Sequence, residues 1–182
     1  MNKRILKLVG VIFLVSLLFG YFSNDVESAR SAIEKLMSQL QELFHKNHST
    51  FDMAVALFKN NTVVCIFLFL LGFIPFLYLP VLPLIINGHV LGIGLRASKA
   101  SLGKTLLLGI LPHGIFELTA LLLSAMWGLL LCHRLTKKIL RQDEKSILEL
   151  AKEGGTFFIL RIIPLLFVAA IVEAYITPVL FQ

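Results

Sequence analysis

Charge is what this sequence has least of. Asp, Glu, Lys and Arg make up 15% of its 182 residues, against about 25% in an ordinary soluble domain. A chain so poor in charge has little with which to cover a surface in water. Cysteine is scarcer still. Cys65 and Cys132 both lie in apolar runs, where a thiol packs as a small apolar group rather than as half of a disulfide or redox pair. No C-x-x-C occurs, which excludes a zinc ribbon. Ser98, Ser101 and Ser124 have no base at a suggestive spacing, so a serine nucleophile has no support and no catalytic residue is assigned. The residues after the first apolar run (Ser23, Asn24, Asp25, Val26, Glu27) offer no small-x-small cleavage site, which argues against a signal peptide.

What is abundant is apolar sequence. The hydrophobic fraction is 57% and the mean hydropathy is +0.86. The excess falls in long runs, the mark of a polytopic all-α membrane protein. The length fits a single membrane domain over 1–182. The net charge of +6 does not point to nucleic acid, because basic residues collect at cytoplasmic helix ends and face anionic headgroups.

Lys3, Arg4 and Lys7 precede the run Leu8–Phe22, which reads as an uncleaved first span with its N-terminus inside. Residues 24–61 form the one long polar stretch. Within it Val26, Ala29, Ile33, Leu36, Met37, Leu40, Leu43 and Phe44 recur every three or four residues, predicting an amphipathic extracytoplasmic helix over Val26–Phe44. It serves either to cover the outer end of the bundle or to bind a partner. Asn47–Thr50 ends it, and Ser49 or Thr50 can cap a second short helix through Lys59.

Val63–Leu95 is too long for one ordinary span. Pro75, Pro80 and Pro83 interrupt its middle, and Gly88, Gly92 and Gly94 loosen its second half. The expectation is one span to about Tyr78, a Pro-rich turn, then a shorter or broken span to about Leu95, with a re-entrant hairpin as the alternative. Spans over Thr105–His133 and Thr156–Phe181 follow, separated by a basic cytoplasmic loop at 134–155. With about five spans, nine Lys and Arg lie inside and seven are spread outside. That count favours a multi-pass protein of the cell membrane, N-terminus in and C-terminus out.

The exceptions to hydrophobicity carry the functional signal. His113, Glu117 and Glu173 sit within apolar runs, where an ionised group costs roughly 2.5 kcal/mol or more. His113 and Glu117 share one helix face at i, i+4, and Pro112 precedes them. Three readings compete: hydrogen-bonded glue between helices, a site for a divalent metal such as zinc, and a proton relay or intramembrane catalytic centre. Asn87 and His89, with Pro112 and Gly114, are candidate polar-core and structural residues. Arg161, in the first turns of the last span, is expected to snorkel to the membrane interface. Trp127 is expected to pack against Ala125 and Gly128.

The run Leu111-Pro112-His113-Gly114-Ile115-Phe116-Glu117-Leu118-Thr119-Ala120 resembles the P-H-G-x-x-E-x-x-A signature of the stage II sporulation protein M family. Phe58-Lys59-Asn60-Asn61, Ile86-Asn87-Gly88 with Gly92, and Glu173-Ala174-Tyr175-Ile176-Thr177-Pro178 are similar to further motifs of that family, in the same order. His89 is not a residue expected at its position. The resemblance implies a helical membrane protein without an established catalytic activity. It also implies a non-enzymatic scaffold for partners that remodel peptidoglycan, such as stage II sporulation proteins D and P. His113, Glu117 and Glu173 match the family's motif positions. A homodimer through the amphipathic stripe or small-residue faces is compatible with the sequence. The alternative function is a membrane transporter or intramembrane metal-dependent enzyme using the same cluster.

Overall fold

The computed structural model of the protein describes residues 2–43, 49–98, 101–142 and 146–180. Phe44, Asn47 and Phe181, named above, and Lys46, Lys99 and Lys145, which the count of inside and outside charges includes, lie outside the described residues, as do the side chains of residues 36–43. The described residues form six helices: α1 (Lys3–Phe22), α2 (Val26–Leu43), α3 (Thr50–Phe73, its last turn tightened to 3-10), α4 (Val81–Ala97), α5 (Leu102–Ile139) and α6 (Ile147–Leu180). Four of them, α1, α3, α5 and α6, are long and apolar enough to cross a membrane; α4 is a shorter apolar helix. By helix length and composition this is a multi-pass membrane protein.

Local chemistry sets the ends of the polar helices. Asp25 accepts the Glu27 and Ser28 amides, each at 2.9 Å, and the Ser28 hydroxyl at 2.8 Å. These bonds, Ser28's above all, hold its carboxyl below the usual carboxylate range. The start of α2 is therefore capped at neutral pH, and the cap is lost only as pH falls through that lowered value. Ser49 and Asp52 form a reciprocal capping box at the start of α3. Ser49→Ala is expected to lower stability by about 1 kcal/mol, read as a shift in the denaturation midpoint in detergent.

α3 does not divide at Lys59. Nothing between Lys59 and Val63 breaks a helix, so the expected short helix and the span that follows it are one element. The chain then turns through residues 74–80, with Phe76 and Tyr78 at φ of 68° and 47°. Irregular backbone leaves polar groups without helix partners, and the C-terminal end of α5 supplies some of them. Thr136 Oγ1 accepts the Phe76 amide at 2.9 Å, the Cys132 thiol donates to the Ile74 carbonyl, and the Tyr78 hydroxyl lies 3.2 Å from His133 Nδ1.

Of the shorter or broken span expected after the turn, α4 is the shorter one: it is continuous over Val81–Ala97. Gly88 and Gly92 are buried and lie against the α1 backbone: a methyl built on Gly88 would sit 2.8 Å from the Phe13 carbonyl oxygen, and one on Gly92 would meet the Leu17 carbonyl and the Tyr21 amide. Ser16 donates to the Ile85 carbonyl at 2.6 Å in the same contact. Two small-x-x-x-small faces, Ser16/Gly20 and Gly88/Gly92, thus bring α1 and α4 to backbone distance. At about 1.5 Å per residue α4 is about 25 Å long, a little less than a core of about 30 Å.

Contacts fix the helix directions. Phe13 meets Gly88, and Arg96 donates to the Asn24 carbonyl, so α1 and α4 run parallel. Leu68 meets Gly128, and Ile74 meets Cys132, so α3 and α5 run parallel. His113 meets Thr177, and Trp127 stacks near Phe157, so α6 runs against α5. Consecutive long elements therefore alternate. α5 is the central helix, with 56% of its most apolar window buried against 17–28% in the other three spans. Large apolar side chains such as Val15, Phe19, Val63, Ile159 and Phe167 are left exposed on the outside, where lipid replaces water. The basic segment after His133 is mostly helical: Arg134, Lys137 and Lys138 extend α5, and Lys152 lies on α6.

α2 lies beside the C-terminal end of α4. Arg30 Nε donates to the Ala97 carbonyl at 3.2 Å, and the Arg96 guanidinium sits 5.4 Å over the Tyr21 ring. That end of the bundle also holds the start of α5 and the end of α6.

Candidate metal centre

Each member of the cluster is placed by a local departure from regular helix. After a first α-helical turn, Leu102–Lys104, α5 passes through a π-helical stretch, Thr105–Ile110, that gives way to α-helix at Leu111. Pro112 has no N–H to give, and its ring crowds a carbonyl in the preceding turn; the widened turn relieves both conflicts. α6 repeats the device twice, with π-helical turns at Phe158–Ile162 before Pro164 and at Val172–Ile176 before Pro178. Single π turns of this kind recur at functional sites. Glu173 lies inside the last of them, and His113 and Glu117 follow the first.

The three side chains meet. One ligating atom from each of His113, Glu117 and Glu173 lies within 4.8 Å of the other two, and all three residues are half-buried. Among the described residues neither carboxylate has a hydrogen-bond or ion-pair partner. Two facing carboxylates without a counter-charge are what a divalent cation offsets, and an imidazole with two carboxylates is a donor set suited to zinc or a similar ion. The group can therefore hold a metal.

A fourth residue orients the first. Thr177 Oγ1 donates to the Val172 carbonyl at 3.2 Å, a bond that the π turn permits, and lies 3.1 Å from His113 Nδ1. A hydroxyl has one proton. With that proton on Val172, the contact with His113 is made by Nδ1–H, which leaves the Nε2 lone pair for a cation. Partners of this kind fix tautomer and ring orientation. Thr177→Val is expected to weaken divalent-metal binding by about 10–100-fold without loss of fold, measured by metal titration of the purified protein. Unchanged affinity would remove Thr177 from the site. In the sequence Thr177 stands inside the motif Glu173–Pro178 with nothing to mark a role of its own.

The cluster faces a vestibule. A cavity of about 510 Å³ is lined by Ile33 of α2, Met53 of α3, Ala97 of α4, Thr105 and His113 of α5, and Glu173 and Thr177 of α6, among others. Glu117, one helical turn further along α5, is not part of its wall. The remaining candidate residues lie elsewhere. Asn87 Nδ2 donates within its own helix to the Pro83 carbonyl at 2.8 Å. The His89 ring packs 5.6 Å from that of Phe19, in the α1–α4 contact. Gly114 is buried on α5 against the Ile110 side chain. Arg161 is exposed in the Phe158–Ile162 turn. Trp127 is buried against Gly154 and Phe157.

The family model described as stage II sporulation protein M matches residues 9–178. An uncharacterized protein of Methanocaldococcus jannaschii is 29% identical over 191 aligned residues, covering 97% of this chain and 82% of its own length. A second uncharacterized protein of the same organism is 36% identical over 123 residues, covering 65% of this chain and 68% of its own. No solved structure matches the chain.

Proposed function

The chain belongs to the stage II sporulation protein M family, and from that premise we propose that it is a non-enzymatic scaffold of the cell membrane whose α5–α6 seam is fastened by a divalent cation. His113, Glu117 and Glu173 hold the ion. The observation that carries this reading is the pair of unpartnered carboxylates facing each other across two helices, with an oriented imidazole beside them. A cation bound there ties the N-terminal third of α5 to the end of α6. The scaffold then presents its α2 end to envelope partners, with peptidoglycan-remodelling proteins such as stage II sporulation proteins D and P as the class the family suggests.

The orientation we propose is N-terminus inside. Lys3, Arg4 and Lys7, Arg134, Lys137, Lys138 and Arg141, and Lys152 all fall at one end of the alternating bundle, and such a concentration favours the cytoplasm. α2 and the vestibule then face outward.

Elemental analysis of the purified protein tests the metal. About one divalent ion per chain is expected, with removal by chelator lowering the melting temperature. Metal-free protein that takes up no zinc, manganese or other divalent ion overturns the reading. A second reading is favoured by the vestibule. A structural staple has no need of an open approach, whereas an intramembrane metal-dependent enzyme or a transporter does. Reconstituted protein that carries divalent cations or hydrolyses a substrate, and loses this with Glu117→Gln while keeping its fold, decides for that second reading.

A further inference from the structure

The metal reading leaves several buried polar atoms unused. Thr62 Oγ1, Ser124 Oγ and Trp127 Nε1 are buried and have no oxygen or nitrogen partner among the described residues. Ser124 is 0% exposed and Trp127 3%. An unsatisfied buried polar group costs about 1–3 kcal/mol, and internal water making about three hydrogen bonds is the usual remedy.

The three lie in one seam. Cys65 lies beside Ser124, its thiol a weak partner for the hydroxyl, and the Leu68 carbonyl lies against Gly128, so α3 and α5 keep a common register. Thr62, three residues before Cys65, therefore falls level with residues 120–121 of α5, between Glu117 and Ser124. At about 1.5 Å per residue, the steps from His113 to Glu117, to Thr62, to Ser124 with Cys65, and to Trp127 are each about 4.5–6 Å along the bundle. One water bonded at about 2.8 Å on either side bridges about 5.6 Å. The buried residues flanking the Thr62 level include the small Ala120, Ala169 and Ala170 beside the larger Leu121 and Leu166. From Thr105 in the vestibule to Trp127 the series covers about 33 Å of α5, the thickness of a bilayer core of about 30 Å. At its far end Trp127 packs on Gly154, next to the exposed Lys152 and Glu153 of the opposite face.

We propose that Thr62, Cys65, Ser124 and Trp127 hold a file of internal water that continues the vestibule from the carboxylate cluster to the opposite face of the bundle. Solvent then reaches the cluster from both sides, a conducting path for protons or small cations across the membrane, for which a sealed staple has no need. The proposal deepens the transport reading. It stands without a cation at the cluster, so it succeeds or fails separately from the metal analysis.

Hydroxyl-radical footprinting of the metal-free full chain in nanodiscs, in isotope-labelled water, tests it. Met126 is the internal control. It is 0% exposed, readily oxidised, and packed in the same apolar cluster as Cys65 and Trp127, so it reports a dry position at the same depth. The expected result is labelling of Cys65 and Trp127 at least tenfold faster than Met126. Thr62→Val and Ser124→Ala should each cut the Cys65 and Trp127 labelling several-fold, with the Met126 rate and melting temperature unchanged. Cys65 and Trp127 as silent as Met126, or labelled equally in wild type and both variants, overturns the file.

Discussion

Gly92→Leu is expected to prevent α1 and α4 from docking and to cost about 3 kcal/mol or more. The first methyl alone would fall on the Leu17 carbonyl oxygen and within 2.8 Å of the Tyr21 amide nitrogen. These are backbone atoms of a hydrogen-bonded helix and cannot rotate aside as a side chain can. The two helices must separate, and separation gives up the packing over the whole shared face, including the Ser16–Ile85 hydrogen bond and the Arg96–Asn24 contact. In a membrane that loss is severe, since lipid tails are as apolar as leucine and helix association rests on close packing and interhelical bonds. Gly10→Leu is the matched control. It also lies on α1, and a methyl there meets nothing within 4 Å, so it should change stability by less than about 0.5 kcal/mol. Unfolding by denaturant in detergent measures both. Equal effects at the two glycines would mean that the α1–α4 contact is not a determinant of the fold.

The second large effect concerns the cluster. Glu117→Ala combined with Glu173→Ala should lower divalent-metal affinity well beyond the 10–100-fold that follows loss of an outer hydrogen-bond partner, because both anionic donors go. The diagnostic lies in the melting curves. A cation at 100 times its dissociation constant stabilises the wild type by about 2.7 kcal/mol, and the double variant should gain nothing. Without metal the order should reverse, since the variant no longer holds two unpartnered carboxylates face to face. Curves that cross in this way belong to a binding site. Curves that stay parallel with and without metal would reduce the three residues to interhelical glue.

Much of this was legible in the residues because lipid imposes severe rules on sequence. The runs around α1, α3, α5 and α6 stand out since a backbone in hydrocarbon has no water to bond. His113, Glu117 and Glu173 stand out for the same reason, and their meeting follows from two helices packed side by side. Ser49 was readable as a cap, and the alternation of Val26, Ala29 and Ile33 as a helix face. The interior of α4 was harder. Gly88 and Gly92 look like loosened helix when taken alone. The usable signal was their spacing, repeated by Ser16 and Gly20 on another helix, and only the pairing of the two faces gives the glycines a purpose. The short helix expected through Lys59 and the span expected from Val63 are one element, because neither the Asn60 nor the Asn61 side chain competes strongly enough to divide α3. Thr177 was invisible because its role depends on a π turn, a five-residue bond that no spacing rule in the sequence announces. Trp127 read as ordinary packing, Ser124 as a serine without a base, and nothing marked Thr62, until burial showed that their polar atoms had been left out of the hydrogen-bond pattern.

The parallel contact of α1 with α4 also has a consequence for biosynthesis. Gly20 is made 68 residues before Gly88, and at about 5–20 residues per second that interval lasts about 3–14 seconds. Through all of it α1 is already in the bilayer with its small-residue face open and its true neighbour not yet synthesised. α3 is inserted in the meantime without taking that place. The ribosome thus delivers the helices in one order and the bundle assembles in another, and the first span must be held near the insertion machinery, or find the fourth helix by lateral diffusion, before the fold can close.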